Sequence, residues 1–478
     1  MPIIFDGQFR GVANSKFSGI RGSFAESVGI DGHSTPGSIT VHQALAKDSG
    51  ATVAEFCKVS VAASNGYTFW FSADSGKIWA RASGGTWTLA YTTAAGAGEH
   101  KCLGAAEYNG FIYWATQSRL HRIAIANADD AWAGEALNWQ TFAVTDASFH
   151  PMETQDITLF IGDGNQVASV NESGTFDNNV LDIKTPLRIK TMIPYESDLL
   201  IGTYVADTVN RTEIIRWDTV SPSWNTSDPI EEVGINAFIR DDNYVYVNAG
   251  QAGNLYYYNG EFLLPYKKIP GTYSSTKYGV VHPGSVGNLK GIPLFGFSNG
   301  SGNPAKEGVY SLGSYSREYD KVLDLSYPIS ERLNSALVTT GLEIGAIIVA
   351  GFDVFVAWKN TAGAGTYGVD KLDYSNKLTL AYFETMMLFQ DKRDIQKSLA
   401  EVKAFYNSLP ASTNLTISYL VNGGAYTAMT AETVTDSKLA AIRSRLSVGE
   451  IGSLQIKVAF TVNSNDAPVL EGLSVDLA

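Results

Sequence analysis

Cysteine is nearly missing from this chain. Its two residues in 478, Cys57 and Cys102, form no CxxC pair and have no histidine at metal spacing. Nothing in this supports a disulfide-stapled secreted scaffold. Two buried thiols are expected, because a disulfide would need their strands to be adjacent. Histidine is scarce as well: residues 33, 42, 100, 121, 150 and 282 show no HxH, HExxH or His-x3-His spacing, so no zinc site is expected. Basic runs are absent, and 35 basic against 48 acidic side chains give a net charge of −13. A phosphate backbone would find no positive stripe, so nucleic acid is not an expected partner. The opening MPIIFDGQFRG lacks a basic segment followed by an apolar one, and no stretch reaches about 18 uninterrupted apolar residues. Synthesis in a cytoplasm with no need of a membrane is the expectation. No GxxxxGK[ST], strand-linked GxGxxG or GxSxG occurs, and no cofactor is expected.

What the chain has in quantity is glycine, 46 residues, and aromatic side chains: 24 tyrosines, 22 phenylalanines and nine tryptophans. Short strands joined by tight turns use both. A pattern recurs through the middle of the sequence, an apolar strand after a polar turn and then a second strand. The first members are GYTFWF (66 to 71), GFIYWAT (110 to 116), DITLFIG (156 to 162), DLLIGTY (198 to 204), NYVYVNAG (243 to 250), IPLFGFSNG (292 to 300) and GFDVFVAW (351 to 358). Their partners are GKIWARA, RLHRIAI, NQVASV, RTEIIRWD, GNLYYYNG, EGVYSLG and YGVDKLDY. With Trp79, His121, Ala168, Ile215, Tyr256, Val309 and Val369 as corresponding points, the steps are 42, 47, 47, 41, 53 and 60 residues. Such spacing belongs to propeller blades, which bury their faces only by stacking around an axis. The fold class expected is all-β, an about seven-bladed β-propeller followed by a small C-terminal antiparallel β-sandwich; six blades plus an insertion is the alternative count. GNLYYYNG (253 to 260) then reads as a blade hairpin, with Tyr256 and Tyr258 on one face and Tyr257 on the other, each packed on a neighbour.

Three regions follow: an irregular, glycine- and serine-rich N-terminal arm over 1–50, the propeller over 51–380 and the sandwich over 381–478. The arm is expected to close the ring or to meet a neighbouring subunit. In the last region NLTISYLVNGGAYTAM (414 to 429) is a hairpin around an Asn-Gly-Gly turn. Between 391 and 406, Ile395, Leu399, Val402 and Phe405 fit one helical face as well as a strand, and both remain open.

SADSGKIW (72 to 79) resembles the Asp-box of sialidases, with Ile78 in place of its threonine. The resemblance implies a turn in which the Ser72 and Asp74 side chains bond turn amides, Gly76 takes a positive φ and Trp79 packs inward, remote from catalysis. Sialidase chemistry would also need converging arginines, for which Arg188, Arg211, Arg216 and Arg240 are unmarked candidates. GDGN (162 to 165) and FDNN (176 to 179) offer turn carboxylates but no ladder of calcium-binding oxygens. No catalytic residue is assigned, and no enzyme is expected.

GKIWARASGGTWTL (76 to 89), PLFGFSNGSGNPAKEGVYSLG (293 to 313), EIGAIIVAGFDVFVAWKN (343 to 360) and the ending VGEIGSLQIKVAFTVNSNDAPVLEGLSVDL (448 to 477) together resemble tail-associated β-propeller proteins of bacteriophage virions. These phrases are strand-and-turn language rather than catalytic motifs. The resemblance implies a structural component of the tail or adsorption apparatus, resident in the virion after assembly in the host cytoplasm. Other virion proteins, further copies of the chain and a host-surface glycan would be its partners. A carbohydrate-binding propeller is the first alternative and a sialidase-like, glycan-cleaving enzyme the second. Trp132, Trp139, Trp224 and Tyr319 are loop-edge aromatics that such a partner or glycan would meet.

Overall fold

The computed structural model describes residues 3–5, 9–14, 22–35, 37–48, 53, 55–93, 99–206, 210–241, 244–269, 279–299, 307–314, 321–330, 342–360, 366–389, 399–429, 440–444 and 452–477. The chain is all-β, with helix nearly absent among the described residues, and is built on a β-propeller. Six blades are present as separate four-stranded antiparallel sheets. The first shows the plan: strands Cys57–Ala62, Tyr67–Ser72, Lys77–Ala82 and Thr88–Thr92 follow one another from the axis outward. The next four blades occupy 104–141, 152–182, 188–230 and 235–268, and the sixth uses 342–377.

Every hairpin read from the repeat forms, as the second and third strands of its sheet. The corresponding points pair across it, Trp79 with Trp70, His121 with Trp114, Ile215 with Ile201 and Tyr256 with Val247. These strands are aromatic because both faces are covered by adjacent blades. Trp114 is buried with ring centroids 5.3 Å from Trp132 and 5.1 Å from His121. A side chain of that size removes roughly 200 Å² from water, worth about 5 kcal/mol before entropic costs.

The arm is less irregular than its composition suggests. Gln43–Lys47 pairs antiparallel with Thr366–Lys377 as the fourth strand of the sheet begun by Leu342–Ala350. Phe24–Val28 lies between Lys321–Tyr327 and Tyr382–Thr385, and Ile3–Phe5 pairs with Leu470–Leu477. Through Phe24–Val28 the strands Ile292–Asn299, Gly308–Ser314 and Lys321–Tyr327 continue into the C-terminal strands Tyr382–Thr385, Ser453–Thr461 and Asn414–Val421, making one sheet of 11 strands. A second sheet joins Leu399–Tyr406, Leu470–Leu477, Ile3–Phe5 and Ala440–Ser444. The two sheets share one core with the arm and the ring, in which Phe24 stacks 4.3 Å from Phe383 and 5.5 Å from Phe9. The described C-terminal strands thus share a sheet and a core with strands earlier in the chain. The stretch open to helix or strand is a strand from Leu399 to Tyr406; Ile395 lies outside the described residues.

The tyrosine triplet is blade core on both faces. Tyr258 is fully buried and donates to Asp228 at 3.1 Å, Tyr256 donates to Glu232 at 2.8 Å, and Tyr257 packs 5.0 Å from Tyr244. Burial first, and then the neighbouring carboxylates, push the Tyr256 and Tyr258 hydroxyls up out of the usual tyrosine range.

Candidate ligand-binding site in the central channel

The innermost strands, such as CKVSVA and METQ, face a narrow channel instead of another blade. A cavity of about 330 Å³ lies where the channel begins, among the starts of these strands and the connections that enter them. A second, of about 270 Å³, continues inward, and both are walled by Val59, Leu103, Pro151, Pro283 and Gly284. The walls meet closely: a Cβ on Gly284 would sit 2.2 Å from the Lys58 carbonyl oxygen, and one on Gly104 only 1.6 Å from that of His150. Such contacts leave room for hydrogen alone.

Lys58, Lys101 and Lys190 line the first cavity together with His282, Phe149 and Asp74. Lys58 sits 3.0 Å from the Glu343 carboxylate, to which His282 Nε2 donates at 2.9 Å. Burial opposes ionisation of Glu343, but His282 and Lys58 prevail and hold it at about 2. Burial also keeps His282 below the usual histidine range, so at neutral pH it is an uncharged donor. Lys190 differs. Its ammonium donates to Asn236 Oδ1 at 2.7 Å and lies 5.3 Å from the centroid of Phe149, and no carboxylate among the described residues pairs with it. Asn236 is held by its own amide, which donates to Asn248 Oδ1 at 2.9 Å and to the Gly250 carbonyl at 2.6 Å. One of the three ammonium protons is thus used, and two remain for a ligand or water. Burial, and then the charge of Lys58, lower Lys190 to about 8.

Glu153 lines the second cavity. Burial raises its carboxyl to about 8 against the opposing pull of Arg240, so at neutral pH it is a hydrogen-bond donor rather than an anion. Chemically, the channel therefore offers ammonium groups at its entrance and an uncharged acid further in. Among the described residues no group of three His, Cys, Asp or Glu is placed to hold a metal ion. The Asp163 carboxylate of GDGN instead accepts the backbone amides of Val144 and Asp146, at 2.7 and 3.1 Å.

The three described aromatics expected at loop edges, Trp132, Trp139 and Trp224, pack in three separate clusters. Trp132 is buried against Phe69, Tyr91 and Trp114 and leaves no face for a partner. Trp139 packs between Tyr113 and Phe176 under the Arg122 guanidinium, and Trp224 rests on the core of its own blade. Tyr319 lies outside the described residues. Of the candidate arginines, Arg216 is bound to Asp198 and Glu196 and Arg188 reaches Asp146 at 3.3 Å, while Arg240 acts on Glu153 in the channel. Both cysteines are free and buried. The Asp-box turn forms in part. Ser72 Oγ accepts the amides of Asp74 and Ser75 at 3.1 and 3.0 Å and Gly76 has φ +70°, but Trp79 is only partly buried, and Asp74 lines the cavity at the channel mouth. Sequence reasoning missed Lys58, Lys190, His282 and Glu153. The available signal was a charged residue interrupting an inner strand, as in CKVSVA and RIKTMIPY.

No protein-family model matches the chain, and no curated protein matches it. Solved structures do. The extracellular domain of the hybrid two-component system BT4673 from B. thetaiotaomicron is 13% identical with a TM-score of 0.47 over 84% of this chain. This chain spans about half of that protein, 47% of its length. A catalytically inactive virginiamycin B lyase from Staphylococcus aureus with quinupristin is 12% identical with a TM-score of 0.48, over 68% of this chain and 98% of that one. Among the described residues no helix is long and apolar enough to cross a membrane.

Proposed function

We propose that the chain is a structural component of a bacteriophage virion, part of the tail or adsorption apparatus, working by protein–protein assembly. The observation that carries this reading is the weaving of both chain ends into the ring: Phe24–Val28 joins ring strands to C-terminal strands, and Gln43–Lys47 completes a blade. A body tied in this way passes load across itself without a hinge, as a stacked particle component must. Exposed apolar side chains on its outer strands and turns, such as Phe262, Leu264, Phe352 and Leu380, suit contact with further copies or other virion proteins.

In this reading the ring counts seven blades, the seventh being the strands from Val286–Leu289 to Lys321–Tyr327 inside the large sheet. Support comes from the inner strands, which touch in turn around the axis: Cys57–Ala62, Gly104–Tyr108, Met152–Gln155, Arg188–Tyr195, Ile235–Arg240, Val286–Leu289, Leu342–Ala350 and back to Cys57–Ala62. The C-terminal strands form a sandwich of two sheets over a shared core. No catalysis is assigned. A glycan-binding role is the second reading, favoured by the cationic channel mouth. Sedimentation velocity of the purified chain is the test of assembly. A discrete symmetric oligomer is expected, with interfaces of roughly 800 Å² per partner. A monomer at every concentration would overturn it.

A further inference from the structure

The channel mouth concentrates positive charge in an otherwise acidic chain. Three lysines, Lys58, Lys101 and Lys190, line it with a single acidic residue, Asp74, and the nearby Glu343 carboxylate is already engaged by Lys58 and His282. A recessed site with low-dielectric walls focuses such a field on whatever enters. Its volume of about 330 Å³ falls in the range of small-molecule sites. Lys190 has two uncommitted N–H groups and is held in place by the Asn236 amide, so an incoming acceptor meets a preset donor.

We propose that this mouth binds a small oxyanion-bearing ligand, a carboxylate or phosphate carried on a body of about monosaccharide size, with Lys190 as the principal contact and Lys58 and Lys101 flanking it. The uncharged part of the ligand extends along the shared wall toward Glu153, which donates a hydrogen bond to a hydroxyl. Phe149, beside the Lys190 ammonium, supplies an apolar face. Asp74 is the opposing charge and limits affinity. This inference goes beyond the assembly reading and does not depend on it.

Calorimetric titration at low salt with N-acetylneuraminate, glucuronate, glucose 6-phosphate, inorganic phosphate and uncharged glucose decides the matter. Binding of at least one charged compound, with none of glucose, is expected. Preference for the sugar acids identifies a carboxylated glycan, and preference for the phosphates a phosphorylated ligand. Lys190→Gln should weaken binding about tenfold or more, and Lys190→Arg should retain most of it. Asp74→Asn should strengthen binding several-fold, a gain that damage to the fold would not mimic. If no oxyanion binds the wild-type chain, if glucose binds equally well, or if Lys190→Gln and Asp74→Asn both leave affinity unchanged, the proposal is wrong.

Discussion

Glu153 gives the channel a measurable signature in stability. Burial raises its carboxyl from the usual 4.5 to about 8, with Arg240 pulling the other way. Since the folded pKa lies above the unfolded one, the folded state holds a proton that the unfolded state has lost between those limits. Stability therefore falls as pH rises through the window, and the full penalty persists above about 8. Each pH unit within the window is worth about 1.4 kcal/mol. From about pH 5 to about pH 8 that would reach ~4 kcal/mol, and channel water screening a half-buried group reduces it to ~2 kcal/mol. Glu153→Gln keeps the shape and removes the charge. Urea unfolding of both proteins should show nearly equal stability at about pH 5 and the variant ahead by ~2 kcal/mol at about pH 8. An equal gap at both pH values, or a wild type that stays ahead in alkali, would refute a buried uncharged acid in the channel.

Other perturbations probe the frame. Gly104→Ala places a Cβ 1.6 Å from the His150 carbonyl oxygen, which cannot yield without moving backbone; a loss of at least about 2 kcal/mol by denaturant titration is expected. Ser72→Ala removes the acceptor of two turn amides and should cost about 1 kcal/mol, visible as a lower melting temperature without loss of the fold. Trp114→Ala opens a cavity among Trp132, Tyr91 and His121 and should cost about 3–5 kcal/mol, enough to reduce soluble yield sharply. Deleting residues 1–47 strips the edge strand from Thr366–Lys377 and should convert the chain to aggregates in light scattering.

The ring was legible where burial leaves a mark in the residues. Second and third strands such as YTFWFS and KIWARA lie between two blades, so aromatic and β-branched side chains recur on both faces and the period stands out. The inner strands did not stand out: METQ and VGNL are short and half polar because one side meets the channel. The site shared that obscurity, since Lys58, Lys190, His282 and Asp74 come from four distant segments that only ring closure assembles. The arm shows no period because its described strands are short, Ile3–Phe5 and Phe24–Val28 being specified by the sheets they join. Trp132 looked like an edge residue for a related reason. Its loop is polar, yet the side chain turns back onto Phe69 and Tyr91.

Single-particle electron microscopy of the purified chain reads the architecture and the assembly together. Seven wedges around an open channel, flanked by a compact lobe of C-terminal strands and repeated in symmetric rings of copies, is the predicted image. Six wedges, a lobe detached on a flexible tether, or isolated particles at every concentration would contradict it.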